Sequence, residues 1–198
     1  GVDPQALIQI LAPVYGLNGS PLRWYETIVG KLEELYQKAE QANAPFKQRV
    51  QALAARTGGR AYCTGPAAMR LKETVRARMK ANFKYKDEGG DGVAWYRLTD
   101  VVRDTIVYPD IRSMYQGLER VVEDFGADVR ELNDRYQNPM PGGYMDLQLV
   151  VCCEAHLCEL QLSTEAMLAA KQVLRRRLLA TPTPLCRTTT PGPGSWKK

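Results

Sequence analysis

Apolar and polar residues follow two different periods along this chain, one typical of helices and one typical of strands. From 22 to 39 the apolar positions recur every three or four residues, which predicts an amphipathic helix. Ser20 and Pro21 fit its start, because an N-cap residue is followed by proline at the first helical position. Pro45 should end or bend this helix, and a second helix should then continue to Gly58.

Strand and helix patterns alternate in the rest of the chain. Short apolar or alternating runs predict strands at 60–64, 104–108, 128–136, 144–152 and 156–162. Helical periodicity predicts helices over 67–86, 110–126 and 163–180, and Ser163 is the expected N-cap of the last one. The segment 87–92, rich in Gly and Asp, should be a loop. This order of elements predicts an α+β fold with a mixed β-sheet of about five strands flanked by helices.

Composition divides the chain into three parts. A helical segment, 1–58, precedes an α+β domain, 59–180, and the Pro- and Thr-rich tail 181–198 is expected to be disordered. No apolar run approaches the roughly 20 residues of a membrane span, and the start of the chain does not resemble a secretory signal. The five cysteines lack the spacing of a zinc site or a disulfide scaffold. We therefore expect a cytoplasmic protein with no membrane partner.

Cations are concentrated in the predicted helix 67–86, which has seven Lys or Arg residues against one acid. Four of them recur at intervals of four residues: Lys72, Arg76, Lys80 and Lys84. An apolar stripe runs beside them: Leu71, Val75, Met79 and Phe83. We expect the apolar stripe to pack on the sheet, so that the cations line a cleft and bind a polyphosphate. The other interpretation is a solvated basic surface, although an ordinary exposed helix interleaves acids with its bases.

Two carboxylates accompany the predicted strands. Asp100 stands shortly before the strand 104–108, and Glu159 alternates with leucines in the strand 156–162. A polyphosphate substrate normally brings Mg²⁺, which one or two carboxylates hold. By itself, Glu159 fits the polar side of a half-solvated strand better than a metal site. The pattern of residues alone does not pair the two carboxylates.

Four segments, in this order, resemble the RelA/SpoT nucleotide pyrophosphotransferase domain, the alarmone synthetase fold. They are RLKETVRARMK from residue 70, LTDVVRDTIVY from residue 98, NPMPGGY from residue 138 and CELQL from residue 158. The resemblance covers roughly residues 60–172. It implies that 59–180 is a divergent synthetase domain with a nucleotidyltransferase-like fold.

The resemblance also implies an activity. The chain would transfer the β,γ-pyrophosphate of ATP to the 3′-hydroxyl of GDP or GTP and make ppGpp or pppGpp, the alarmones of the stringent response. Asp100 and Glu159 are the implied catalytic pair and Mg²⁺ ligands, with Glu159 as a base for the attacking hydroxyl. The expected ligands of the donor phosphates are Arg70, Lys72, Arg76 and Lys80. The expected ligands of the acceptor nucleotide are Asn138, Tyr144, Gln148 and Gln161, with Tyr144 stacking on its base.

The acceptor side departs from the family pattern. Met140 and Gly142 stand where the family usually has Lys and often has Asn, Gln148 replaces a His, and Ser163 replaces an Arg. We therefore expect an altered acceptor or weak activity. One alternative is the same chemistry on a tRNA 3′ end or an adenosine nucleotide, which the basic residues from Arg175 onward would suit. The other is a non-catalytic nucleotide-binding module, and a homo-oligomer is compatible with each of these functions.

Overall fold

The computed structural model of the chain describes Tyr25, residues 29–86 and residues 92–180. In these residues the chain forms four α-helices: α1 (Leu32–Arg56), α2 (Thr74–Lys84), α3 (Ile111–Phe125) and α4 (Glu165–Ala180). They accompany five strands: β1 (Arg60–Ala61), β2 (Arg103–Tyr108), β3 (Val129–Asp134), β4 (Leu147–Cys153) and β5 (His156–Thr164). The predictions for Ser20, for 87–91 and for the tail 181–198 lie outside the described residues.

The strands form one mixed sheet in the order β1-β2-β5-β4-β3. β2 and β5 are parallel, and the other neighbouring pairs are antiparallel. The register places Arg103 opposite Glu159, and Gln161 between Thr105 and Gln148. A five-stranded mixed sheet with flanking helices confirms the predicted α+β fold.

The two faces of the sheet have opposite character, because successive side chains of a strand point to opposite sides. One face buries Ile106, Leu149 and Leu160 completely against the helices. α1 contacts this face through Lys47, whose Nζ lies 3.1 Å from the buried Asp104 carboxylate. Each buried leucine contributes about 2 kcal/mol to folding. The core therefore lies on the helix side, and the other face keeps polar residues.

Two predicted helix boundaries are wrong. α1 runs through Pro45 as a single helix of 25 residues, so Pro45 does not end it. Ala42 and Phe46, on either side of this position, are completely buried in the core, and their packing outweighs the roughly 3 kcal/mol that an internal proline costs. Ser163 belongs to β5, and Thr164 caps α4 because its Oγ1 accepts a hydrogen bond from the Met167 N–H at 3.3 Å.

The predicted orientation of the basic helix is also wrong. α2 begins only at Thr74, and three of the four residues expected to pack on the sheet face outward, with Val75 and Met79 each 68% and Phe83 88% exposed. The fourth, Leu71, precedes the helix and is half-buried against the core. The completely buried residues of α2 are Ala77 and Ala81. These small side chains let the helix backbone approach the domain closely, and Lys80, beside them on the helix, reaches a buried carboxylate. Lys80 therefore points inward, whereas Val75, Met79 and Phe83 do not.

The described residues also include helices and cysteines on which the composition bears. No helix among them has both the length and the apolar character that crossing a bilayer requires. The described cysteines are free thiols, and Cys158 is buried in the core.

The exposure of α2 predicts opposite effects for two substitutions on that helix. Phe83→Ser should change the free energy of unfolding by no more than about 0.5 kcal/mol, because the ring is largely in solvent. Ala81→Leu should destabilise the protein by about 1–3 kcal/mol, because no space is left for a larger side chain. Urea denaturation of both variants measures the difference. A large loss for Phe83→Ser would instead indicate the originally expected orientation.

Candidate functional site

Asp100 lies in the turn before β2 and is bound by two lysines. Its Oδ2 accepts a hydrogen bond from Lys72 Nζ at 2.6 Å and lies 3.0 Å from Lys80 Nζ. Lys72 precedes α2 and is fixed by its backbone N–H, which donates to the Val101 carbonyl at 3.0 Å. Lys80 comes from the buried side of α2. Two separate segments thus bring their positive charges to one carboxylate that is only 6% exposed.

The lysines decide the ionisation of Asp100. Burial raises the pKa of this carboxyl, but the Lys72 hydrogen bond and the charges of Lys80 and Lys72 outweigh burial and bring the pKa below its ordinary value. Burial also lowers the pKa of Lys72, and Asp100 opposes that change. Asp100 is therefore ionised at neutral pH, while its other oxygen, Oδ1, is buried without a hydrogen-bond partner among the described residues.

Glu159 lies on β5 and faces the same polar side of the sheet. Its Oε1 accepts a hydrogen bond from Gln161 Nε2 at 2.9 Å, and its Oε2 accepts one from Gln148 Nε2 at 2.5 Å. Burial, followed by the negative charge of Asp100, raises the pKa of Glu159. Neighbouring carboxyls with opposite pKa shifts are typical of acid–base sites, because one stays charged and the other exchanges protons.

Arg135 and Asp146 extend this network away from Glu159. The Arg135 guanidinium donates through Nη2 to the Gln148 side-chain oxygen and through Nη1 to Asp146 Oδ1 at 2.8 Å. Asp146 is completely buried, and Arg135 is its ion-pair partner. Arg135 therefore fixes the amide of Gln148, whose nitrogen is directed at Glu159.

Tyr144 stands at the far end of the same network. Its hydroxyl donates to Asp146 Oδ2 at 3.0 Å and accepts from Lys171 Nζ of α4 at 3.2 Å. The Lys171 ammonium lies 4.7 Å from the centroid of the Tyr144 ring. Burial and the charge of Asp146 raise the pKa of Tyr144, which keeps the hydroxyl protonated.

The structure places most of the predicted site residues in one cluster. Its members are Lys72, Lys80, Asp100, Gln148, Glu159 and Gln161. Tyr144 joins them through Asp146 and Arg135. Three other predicted residues, Arg70, Arg76 and Asn138, are exposed. In the part of the chain that the structure describes, no side-chain hydrogen bond or ion pair links these three to the cluster.

Three residues of the site escaped the sequence prediction: Arg135, Asp146 and Lys171. A signal for Asp146 exists, because it alternates with Tyr144 and Gln148 and so lies on their side of the chain. Arg135 pairs with Asp146 across 11 positions, and no local period reports such a pair. Lys171 is a single cation within an otherwise uncharged stretch of α4, from 166 to 174.

Asp100 and Glu159 could together hold a divalent cation. The Asp100 Oδ1 atom suits a metal ligand, because it is a buried carboxylate oxygen without a hydrogen-bond partner. Among the described residues no group of three or more His, Cys, Asp or Glu side chains is arranged for a metal. A site with two carboxylates fits Mg²⁺, which keeps several waters and substrate phosphates in its coordination shell.

Comparison with known proteins gives a structural match and no sequence match. No protein-family model and no curated protein matches the chain. The small alarmone synthetase 2 of Bacillus subtilis is 18% identical with a TM-score of 0.51, over 77% of this chain and 83% of that one. The small alarmone synthetase 1 of Bacillus subtilis is 15% identical with a TM-score of 0.53, over 75% and 80%.

A GTP pyrophosphokinase family protein from Streptococcus pneumoniae is 14% identical with a TM-score of 0.52, over 81% of this chain and 79% of that one. At such identities the likeness concerns the fold. The chain has the fold of the RelA/SpoT-like small alarmone synthetases, which confirms the fold that the sequence resemblance implied.

The pairing of Asp100 makes a prediction about stability and pH. Because its pKa lies below the ordinary 3.8 in the folded chain, ionised Asp100 stabilises the fold above about pH 4, and this contribution disappears as the pH falls through the folded pKa. Asp100→Asn should lower the free energy of unfolding by about 3 kcal/mol at pH 7 and by less at pH 3. Urea denaturation without divalent cations measures both values.

Glu123→Gln is the matched control for Asp100→Asn. Glu123 forms an exposed ion pair with Arg120 at 2.8 Å, so its loss should change stability by no more than about 0.5 kcal/mol at either pH. An equal loss of stability for Asp100→Asn at pH 7 and pH 3 would contradict the assignment.

Proposed function

We propose that the chain is a pyrophosphotransferase that moves the β,γ-pyrophosphate of ATP to the 3′-hydroxyl of GDP or GTP. One observation carries this proposal. Lys72, Lys80, Asp100 and Glu159 converge on the polar face of a sheet that has the fold of small alarmone synthetases. This transfer requires cations that bind a polyphosphate, carboxylates that hold a metal ion, and a carboxyl group with a raised pKa.

The donor phosphates are assigned to the cations around α2. Lys72 and Lys80 are already directed into the site by Asp100, so little rearrangement is needed for them to meet phosphate oxygens. Arg70 and Arg76 are exposed near them in sequence and can add charge from the rim. Neutralising and positioning the phosphates is the main task of a protein in phosphoryl chemistry.

Asp100 and Glu159 would hold Mg²⁺ in this proposal. Asp100 supplies a carboxylate that is ionised at neutral pH and has one buried oxygen without a hydrogen-bond partner among the described residues. Glu159 lies close enough for the charge of Asp100 to raise its pKa. The bound cation would neutralise negative charge on the polyphosphate.

Glu159 is the base in the proposed reaction. Its carboxylate takes the proton of the acceptor 3′-hydroxyl, the hydroxyl oxygen bonds to the β-phosphorus of ATP, and the bond from that phosphorus to the α–β bridging oxygen breaks. AMP leaves, and the acceptor carries the pyrophosphate. A raised pKa increases the proton affinity of Glu159 and so suits this role.

The acceptor nucleotide is assigned to the side of the site that holds Tyr144. A rigid aromatic ring is a suitable stacking platform for a base. Gln148 and Gln161 direct their amide nitrogens at Glu159. We therefore assign them to positioning the Glu159 carboxylate rather than to holding the nucleotide directly. Asn138, exposed in the turn before Tyr144, is left to contact the acceptor itself.

A transfer assay with γ-labelled ATP and Mg²⁺ tests the proposal, with GDP, GTP, ATP and tRNA as separate acceptors. We expect label in ppGpp and pppGpp, and Glu159→Gln should reduce the rate by about 10²–10⁴-fold, as expected for loss of a general base. Label only in tRNA, or only in an adenosine nucleotide, would identify that molecule as the acceptor in place of GDP and GTP. Binding of ATP with no transfer to any acceptor would instead indicate a non-catalytic module.

Glu131→Gln is the control for this assay. Glu131 lies opposite Val150 on the same polar face, and burial raises its pKa as it does for Glu159. It differs in having Val150 between it and Glu159. Its variant should keep the rate within a few-fold, so that a specific loss at Glu159 cannot be attributed to removal of any buried carboxyl.

A further inference from the structure

Lys171 contacts the Tyr144 hydroxyl and belongs to neither the proposed donor site nor the proposed metal site. We propose that Lys171 selects the base of the acceptor and favours a purine with an oxygen at C6, such as guanine, over adenine. This inference rests on the proposed function, because it assumes that an acceptor base stacks on Tyr144.

The position of the Tyr144 ring is fixed through its hydroxyl. The hydroxyl proton is donated to Asp146 at 3.0 Å, and Asp146 is held in turn by Arg135 at 2.8 Å. Only the lone pairs of the hydroxyl remain for Lys171, which donates to them at 3.2 Å. The ammonium is therefore held over the hydroxyl end of the ring, 4.7 Å from the ring centroid, where it can reach the edge of a stacked base.

The chemistry of an ammonium discriminates between the two purines. It has three N–H donors and no acceptor. One donor is used on Tyr144, and two remain for a ligand. Guanine presents two acceptors side by side, N7 and O6, whereas adenine presents the N7 acceptor beside the N6 amino donor. Lys171 can satisfy both guanine atoms but meets the amino group of adenine donor to donor.

Among the described residues, no other group near this ring competes for the role. The turn 138–144 contains no charged side chain. Arg135 is engaged by Asp146 and Gln148. Within the described part of the chain Lys171 forms no ion pair with a carboxylate, so its charge is available to a ligand.

Binding of GDP, IDP and ADP to the wild-type chain and to Lys171→Met tests this proposal, by equilibrium dialysis without ATP. IDP lacks the 2-amino group but keeps N7 and O6, so it isolates the contribution of the C6 oxygen. We expect the wild type to prefer GDP and IDP over ADP by about 10-fold or more. Lys171→Met should lose most of this preference, and Lys171→Arg should keep part of it.

Arg176→Met is the matched control, since it removes an exposed cation from the same helix. It should leave the GDP to ADP ratio unchanged. If Lys171 instead neutralises the acceptor phosphates, Lys171→Met would weaken all three nucleotides equally. An unchanged ratio of this kind overturns the proposal.

The same variants in the transfer assay separate this inference from the proposed reaction. Suppose that Lys171→Met loses the base preference and that no variant transfers label. This result would support base selection by Lys171 and overturn the proposed reaction. Transfer with an unaltered ratio of kcat/KM for GDP and ADP would support the reaction and overturn the selection. A wild-type chain that binds none of the three nucleotides would overturn both.

Discussion

Two carboxylates, Asp100 and Glu159, are buried on the same face of the sheet, and the surrounding structure is arranged around their repulsion. Like charges in a poorly hydrated site cannot both remain ionised without compensation. Lys72 and Lys80 compensate Asp100, whereas two neutral amides support Glu159. The two carboxyls therefore differ in proton affinity: Asp100 is held as an anion, and Glu159 binds a proton more readily.

Most of the fold could be predicted from the sequence because several elements carry a strong local pattern. The alternation in β5 and the period of α3 are each visible in a few residues. Pro45 was misinterpreted because its local penalty is smaller than the packing of Ala42 and Phe46 on either side of it. The helix continues at Pro45 because of tertiary packing, and no local sequence pattern reports that packing.

The candidate site was predictable only in part, for the same reason. The charge pattern pointed to Lys72 and Lys80, whereas the pairing of Asp100 with Glu159 came through a resemblance. The amphipathic pattern of α2 pointed to the wrong buried side. Hydrophobicity favoured burying Phe83, but ion pairs of Lys72 and Lys80 with Asp100 accompany the opposite orientation. Arg135 meets Asp146 across a turn, and a contact of that kind depends on the assembled fold.

The central position of β5 has a consequence for biosynthesis. β5 lies between β2 and β4, and its parallel partner β2 precedes it by 56 positions. Such distant pairings form slowly, because a long loop must close before any contact is gained. On a translating ribosome Asp100 and both lysines emerge well before Glu159. A chain still lacking β5 therefore carries the cationic half of the site without its second carboxylate, and the complete site appears only when the last strand is inserted.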